Sequence, residues 1–287
     1  MNDMLSICFL ISTTHGRIKG VEHLLMPAAE GVSYVVAWQL PAGEEAQYPL
    51  PEGLKNRDDV TVLRWNGKGL SANRNYALDY VKEHSLEAKS EGRTAPDLLV
   101  IAADDDNRYS PSDVQAIRSA FTSYPEADII HFEARDYDGL PLRTYPSEPL
   151  WWTSRRRLFS CLSSCCIVVR NSPKLPAFDT RFGLGAYLGC AEEELYVHEA
   201  IVKGGLRCLY LPVSIVRTAK CTTASRLLTD ASVARAKGAL LYLLHGWWGA
   251  QMRVAAFCLR KPQISFRLRI QLWHSMREGI EYMAKNA

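Results

Sequence analysis

Short apolar runs rich in β-branched residues alternate with segments whose apolar positions recur at helical spacing through most of this chain. Leu5–Ser12 and Val32–Trp38 read as strands. Between them Gly16–Met26 places Ile18, Val21, Leu24 and Leu25 on one helical face. Val60–Arg64 continues as a strand, Ser71–Glu83 as a helix and Asp97–Ala103 as a fully buried strand. Ser110, Pro111 and Asp113 supply a capping hydroxyl, a proline at the first helical position and an early carboxylate, predicting a helix to about Ser123. Asp128–Phe132 and Cys165–Arg170 are further strands, divided by a long polar and aromatic loop, Glu133–Ser160, of a length usually reserved for function. A last helix opens at Glu192–Glu194 and should end near Gly204 and Gly205.

This alternation predicts an α/β layered sheet over residues 1–225, with ligands bound at the carboxyl ends of its strands. From Arg226 the pattern turns purely helical, Val233–Leu259 and then Phe266–Lys285, divided by Lys261 and Pro262, so residues 226–287 form a helical appendage. With 47% hydrophobic residues among 287, the chain can bury a large core, which excludes disorder as its main state. The net charge of +3 is too nearly balanced for a protein that coats nucleic acid, and no nucleic-acid module is present. Its distribution is uneven: Arg226–Ala287 carries ten basic and three acidic residues, net +7, and the remainder is net −4. The eight cysteines form no C-x-x-C pair, and Cys161, Cys165 and Cys166 lie in an apolar run, so neither zinc nor a disulfide framework is expected. Met1–Asp3 lacks a basic leader region, and the longest uncharged stretch, Gly238–Met252, is too short to span a bilayer; both favour a reducing, cytoplasmic location.

Three clusters carry candidate chemistry. Asp104, Asp105 and Asp106 directly follow an apolar strand, and such a triplet repels itself unless a cation holds it. A hard divalent ion bound by one or two carboxylates and by substrate phosphate oxygens suits that position better than an exposed acidic turn does, and carboxylates alone do not choose between Mn2+ and Mg2+. The stretch Gly67–Asn75 is glycine-rich and basic and opens a helix, where backbone donors, Lys68 and Arg74 suit a diphosphate; a helix capped by Ser71 with solvated cations explains it equally well. Glu192, Glu193 and Glu194 favour the dipole of the helix they begin, yet three adjacent side chains cannot share one face. Thr13 and His15 follow the first strand, where such a sheet receives a nucleotide. Trp151, Trp152 and Arg155–Arg157 combine rings that could stack on sugars with guanidinium groups that could grip phosphate, and core packing or a basic turn are the plain alternatives.

Taken in order, the Gly-Leu-Ser-Ala-Asn-Arg-Asn helix start, the D-x-D at a strand end followed by proline, and the acidic pair opening a helix that ends in glycine resemble family 2 glycosyltransferases of the GT-A fold, over residues 5–225. The resemblance implies a Rossmann-like α/β/α sandwich around a central mixed, mainly parallel sheet. It implies that Asp104 and Asp106 hold a divalent metal and that Asp104, Asp105, Asn73 and Arg74 line the nucleotide-sugar donor site. Glu193 matches the catalytic base, with Glu192 before it. Phe178, Asp179, Arg181, Phe182, Gly183 and Gly185 match the approach to the acceptor, which Trp152 would join. Two positions depart from the family: Gln39 and Leu40 stand where an aspartate often recognises the base, and Arg217 stands where a histidine often lies near the metal.

The expected activity is an inverting, metal-dependent transfer of a sugar from a nucleoside-diphosphate donor, UDP-linked by the resemblance, to a hydroxyl of a saccharide or lipid-linked oligosaccharide in cell-surface polysaccharide synthesis. A sugar-phosphate nucleotidyltransferase needs a similar sheet, metal carboxylate and cations and stands as the alternative enzyme. The basic tail raises a third reading, a non-enzymatic adaptor at an anionic membrane surface, and the same tail could bring an enzyme into peripheral contact with such a membrane.

Overall fold

The computed structural model describes residues 5–90, 97–153, 162–220, 226–260 and 265–286; Arg155–Arg157, Cys161, Lys261 and Pro262 lie outside them. Along the chain run β1 (Ser6–Thr14), α1 (Ile18–Val21), β2 (Val32–Gln39), α2 (Glu52–Lys55), β3 (Val60–Trp65), α3 (Leu70–Ser90), β4 (Leu98–Asp104) and α4 (Pro111–Ser123). They are followed by β5 (Ile129–Asp136), β6 (Leu150–Trp151), β7 (Ile167–Arg170), α5 (Glu192–Val202), β8 (Cys208–Thr218), α6 (Ala231–Leu259) and α7 (Phe266–Lys285). The eight strands form one mixed sheet in the order β3-β2-β1-β4-β7-β5-β8-β6. Parallel pairing joins β3, β2, β1 and β4 and also β5 to β8; β7 runs antiparallel between β4 and β5, and β6 antiparallel on the edge beside β8. The fold is thus α/β with a central mixed sheet and C-terminal helices, as the sequence pattern predicts.

Seven consecutive residues of β1, Ile7–Thr13, are buried, which is why this strand reads as a continuous apolar run and not an alternating one. Ile7, Phe9 and Ile11 join Tyr34, Val36, Trp38, Leu99, Ile101, Phe121 and Phe132 in the main core. The predicted start of α4 forms in full: Ser110 Oγ accepts from the Asp113 amide, and Asp113 accepts from the Ser110 amide in return. β1 and β4 are in register at Ser12 and Asp104, so the acidic triplet leaves the sheet beside the end of β1.

Three expectations need correction. The helix expected over Gly16–Met26 is a single turn, α1. After Val21 the segment proceeds by i→i−3 turn bonds such as His23 to Gly20 and Leu24 to Val21, and Leu25 and Met26 reach the main core from these turns together with Ile18 and Val21. α3 continues past Glu83 to Ser90, because Leu86, Glu87, Ala88 and Lys89 are good helix formers with no breaker among them. β5 runs on to Asp136, into the segment read as loop. The longest strand, β8, is absent from the sequence reading because Pro212 sits inside it. The β5–β8 register breaks between the His131–Tyr210 and Glu133–Ser214 pairs, and a residue without an amide proton is tolerated at such an irregularity.

The chain divides into two compact units. The first comprises Met1–Lys68, Ala72–Ala177 and Tyr196–Lys220 and contains the sheet; the second comprises Gly69–Ser71, Phe178–Leu195 and Cys221–Ala287. The second is built on the α6–α7 hairpin. Ala234, Ala250, Val254 and Cys258 of α6 meet Leu272, Met276 and Ile280 of α7. Phe182, Leu188, Ala191 and Leu195 join Ala236, Ala239, Leu240 and Met283 in a separate cluster. α6 is interrupted at Gly246, whose φ of 67° and ψ of −179° are non-helical and open to glycine.

The hairpin crosses at glycines. A Cβ on Gly238 would lie 1.8 Å from the Met276 carbonyl oxygen, and one on Gly279 1.9 Å from that of Arg235. Both obstacles are backbone, so no side chain can turn aside. Gly238→Ala and Gly279→Ala should each cost about 1–3 kcal/mol, seen as a lowered Tm. Gly20→Ala, where a Cβ meets nothing within 4 Å, is the control and should leave Tm unchanged or raised. Unaltered stability in both hairpin variants would show that the helices do not cross at this distance.

Candidate active site

In the first unit the acidic triplet is held by residues from four elements. Arg74 of α3 is 1% exposed, and its Nη2 donates to Asp104 Oδ1 at 2.9 Å and to Ser164 Oγ at 2.8 Å. A guanidinium so deeply buried is tolerable only when paired, so Arg74 and Asp104 stabilise each other's placement. Asp105, also nearly buried, accepts from Thr13 Oγ1 at 2.7 Å and pairs with Arg17 at 2.6 Å. Asp106 is supported by neutral donors, Asn107 Nδ2 at 3.0 Å and Thr218 Oγ1 at 3.4 Å. It makes no ion pair among the described residues.

These surroundings leave a surplus of negative charge. Burial pushes the Asp106 carboxyl above the ordinary carboxylate range, and the charges of Asp104 and Asp105 push it further in the same direction. Burial also raises Asp105, against the lowering effects of the Thr13 hydrogen bond and Arg17. Asn107 fixes the turn: its Oδ1 accepts from the Asp104 amide at 2.6 Å and its Nδ2 also reaches Thr218. Tyr137 donates its hydroxyl to the Asp106 carbonyl.

The other donor-side expectations lie in the same unit. Asn73 is buried and donates to the Ala37 carbonyl at 3.1 Å, fixing α3 to β2. Gln39 ends β2 in register with Thr14, and His15 is exposed with its ring edge against Tyr48. Lys68 is exposed. Arg217 is exposed on β8, where its backbone bridges that of Arg108 in both directions, at 3.0 Å and 2.8 Å. The two arginines, Tyr137, Asp138 and Gly139 line an open pocket of about 380 Å³, in which the Arg108 guanidinium lies over the Tyr137 ring. Trp152 was expected to offer a face to the acceptor. It is instead buried at the end of the short edge strand, with its ring near His131.

In the second unit the three glutamates at the start of α5 are treated differently. Glu192 is 4% exposed, Glu193 is half-buried, and Glu194 pairs with Lys237 at 3.2 Å. Ala191, just before them, is the only described non-glycine residue with positive φ, at 73°. Such a conformation costs on the order of 1–3 kcal/mol and persists where the surroundings impose it. Ala191 is itself buried beside Phe182 and Leu188. Phe182 is fully buried, so of the residues read as the acceptor approach it serves packing, while its carbonyl accepts from Ser71 Oγ at 2.6 Å. Gly183 follows with φ 103°; a Cβ there would lie 2.8 Å from Ser71 Oγ and 3.3 Å from the Glu192 carboxyl carbon. Gly185 has φ 86° and closely approaches Gly69.

Sequence reasoning missed Arg17, Asn107, Thr218, Tyr137, Arg108, Ser164 and Lys237. Asn107 had a readable signal, since it extends the acidic triplet by one amide. The others become neighbours of the clusters only through strand order and helix placement.

No protein-family model and no curated protein sequence matches the chain. Among solved structures it is similar to S. aureus TarS residues 1–349 in complex with UDP-GlcNAc, at 15% identity and a TM-score of 0.58, covering 97% of this chain and 81% of that one. It is also similar to TarS 1–349 in complex with UDP, at 13% identity and a TM-score of 0.53, covering 98% and 92% respectively. Against a further S. aureus TarS structure the identity is 14% and the TM-score 0.51, and the chain spans 54% of that length. At these identities the likeness is one of fold.

Proposed function

We propose that the protein is an inverting glycosyltransferase that uses a nucleoside-diphosphate sugar, UDP-linked, and transfers the sugar to a hydroxyl of a saccharide or lipid-linked saccharide. The observation that carries this reading is the carboxylate cluster at the carboxyl end of β4, with its surplus negative charge beside arginines, in a fold shared with a protein solved with UDP-GlcNAc and with UDP. Residues 1–225 supply the catalytic part in this reading and 226–287 the basic appendage.

The cluster's chemistry fits a hard divalent ion. Its donors are carboxylate oxygens, and Asp106 carries a charge that burial and its neighbours disfavour in the absence of a cation. No group of three or more His, Cys, Asp or Glu side chains among the described residues forms a metal site. In this reading one or two carboxylates, Asp104 and Asp106, share the ion with substrate phosphates. Bound there, Mn2+ or Mg2+ supplies positive charge opposite the departing diphosphate. Arg217 adds a cation for the diphosphate in this reading, and Thr13, His15, Gln39, Lys68 and Asn73 complete the donor site.

The acceptor oxygen attacks the anomeric carbon as the bond from that carbon to the diphosphate oxygen breaks. The hydroxyl proton passes to the Glu193 carboxylate and the nucleoside diphosphate leaves with the bonding pair. Glu193 is taken as the base on the resemblance; beside it Glu192 is buried and Glu194 pairs with Lys237. In this reading Gly183 and Gly185 belong to the approach to the acceptor, and their positive φ shapes that loop.

Incubation with a panel of UDP-sugars, manganese and saccharide acceptors should release UDP and yield a glycosylated product of inverted configuration. Productive use of a nucleoside triphosphate and a sugar phosphate, without UDP release, would replace this reading by a nucleotidyltransferase. Glu193→Gln should lower turnover by about a hundredfold or more while donor affinity is kept. If Glu193→Gln turns over at the wild-type rate and Glu192→Gln or Glu194→Gln is inactive, the base is misassigned.

Asp106→Asn separates stability from binding. The Asp106 carboxyl is raised above its ordinary 3.8, so its charged form opposes folding at neutral pH, and the amide should raise the Tm of metal-free protein. The sign follows from proton uptake: the folded state holds this proton more tightly than the unfolded chain. The advantage of the amide is therefore largest at neutral pH and shrinks as pH falls through the raised value. With manganese and UDP at one hundred times Kd, wild-type protein should gain about 2.7 kcal/mol and the variant none. A variant that gains as much as wild type would remove Asp106 from the metal site.

A further inference from the structure

The second unit carries two apolar faces on the outer half of α6, of which the fold covers one. Ala250, Val254 and Cys258 point into α7, against Leu272, Met276 and Ile280. Trp248, Met252, Ala255 and Leu259 recur at i, i+4, i+7 and i+11, so they form a stripe on the opposite side of the same helix. Trp248 is 77% exposed, Met252 65% and Leu259 74%. Phe266, at the first position of α7, is 73% exposed, and Ile270 one turn later is also exposed. These include the four most exposed large apolar side chains among the described residues. The hairpin's own packing is complete without them, and solvent exposure of so much contiguous apolar surface calls for a partner.

The charge around the stripe specifies the chemistry of that partner. No aspartate or glutamate occurs from Ala231 to Arg277, whereas eight lysines and arginines do. Arg253, Arg260 and Arg267 are exposed at the same end of the hairpin as the stripe, and none of them forms an ion pair among the described residues. A second copy of this chain would set these cations against one another, because the surface offers no carboxylate to answer them. An anionic surface that accepts apolar side chains satisfies both halves of the pattern. No described helix is long and apolar enough to cross a bilayer, so the contact lies in the interface plane.

We propose that the outer half of α6 and the start of α7 form a docking surface for an anionic lipid bilayer. Trp248, Met252, Leu259 and Phe266 enter the interface, and Arg253, Arg260 and Arg267 contact lipid phosphates. The Gly246 break sets this half of α6 apart from the inner half, which packs with Phe182 and Leu188. The surface is independent of the proposed transferase chemistry, since it uses none of the residues assigned to donor, metal or base.

Flotation of the full chain with vesicles tests it. Vesicles of phosphatidylglycerol and phosphatidylcholine should carry the protein upward at 150 mM salt, pure phosphatidylcholine should not, and 1 M salt should release it, as expected when screening contracts to about 3 Å. Replacing Arg253, Arg260 and Arg267 together by Gln should weaken partition roughly a hundredfold, from about 1 kcal/mol per basic residue near an anionic surface. Trp248→Ser with Leu259→Ser should weaken it at least tenfold, with Tm unchanged because both side chains are exposed, and the blue shift of tryptophan emission on adding vesicles should be lost. Equal binding to both vesicle types, binding to neither, or full binding by either variant set would overturn the proposal. So would light scattering that shows an oligomer dissolved by the serine variant, which would assign the stripe to a second copy. UDP release from the donor in the presence of a soluble acceptor should be unchanged in both variant sets, so the outcome is read apart from the transferase reading.

Discussion

Three consecutive carboxylates at the end of a buried parallel strand set the terms for everything around them. Their mutual repulsion in a partly desolvated place must be offset, and the chain offsets it unevenly. Asp104 receives a buried guanidinium from α3, Asp105 a surface guanidinium from beyond β1 and a hydroxyl from within it, and Asp106, among the described residues, only an amide and a hydroxyl. Each partner in turn fixes an element. Arg74 donates to both Asp104 and Ser164, which offsets the cost of taking its charge out of water. Thr218 reaches Asp106 only because β8 ends where it does. The ends of β1, β4 and β8 and the first turns of α3 are thus tied together by electrostatics as well as by the sheet, and negative charge is left over at one oxygen-rich point.

Much of the fold was legible because local signals agreed with tertiary burial. The Ser110–Asp113 capping box and the apolar runs of β1, β2 and β4 left little choice of element. The failures share a cause, which is that tertiary context overruled the local pattern. α1 shrank to one turn because i→i−3 turns after Val21 already bring Leu25 and Met26 to the core, and β8 was hidden by a proline that the strand accommodates at a break in register. Trp152 illustrates the same limit at the site: an aromatic residue in a polar loop reads as a ligand platform, yet it is buried near His131. The acidic triplet itself was visible from sequence. Arg17 and Thr218 were not, because the one follows β1 and the other ends β8, and only strand order makes them neighbours of β4.

The glutamates of α5 show what sequence cannot divide. Three identical side chains in a first helical turn share the same dipole advantage. Their difference comes from the backbone at Ala191, whose left-handed conformation sets the direction of the turn, and from distant residues. Lys237 of α6 binds Glu194, and the side-chain-free Gly183 lies against buried Glu192. The strain at Ala191 is held by its burial between Phe182, Leu188 and the helices of the same unit. A residue whose conformation is unfavourable by itself therefore depends on the hairpin packing, which links the helical C-terminus to the orientation of the acidic turn.

That dependence also explains why α6 is not a uniform helix. Its inner half contributes Ala236, Ala239 and Leu240 to the cluster that holds Ala191, and small side chains there let α7 approach to backbone contact at Gly238 and Gly279. Packing demands of this kind account for Ala250, Val254 and Cys258 beyond the Gly246 break as well, since each meets α7. They do not account for large apolar side chains on the far face, where serine or lysine would keep the helix equally well and remain better solvated. Solubility selects against Trp248, Met252 and Leu259 at their present exposure, and helix propensity is indifferent to them. In the docking reading the composition of that face answers to a contact outside this unit's own core, and the absence of acidic residues from Ala231 to Arg277 suits a surface of negative charge.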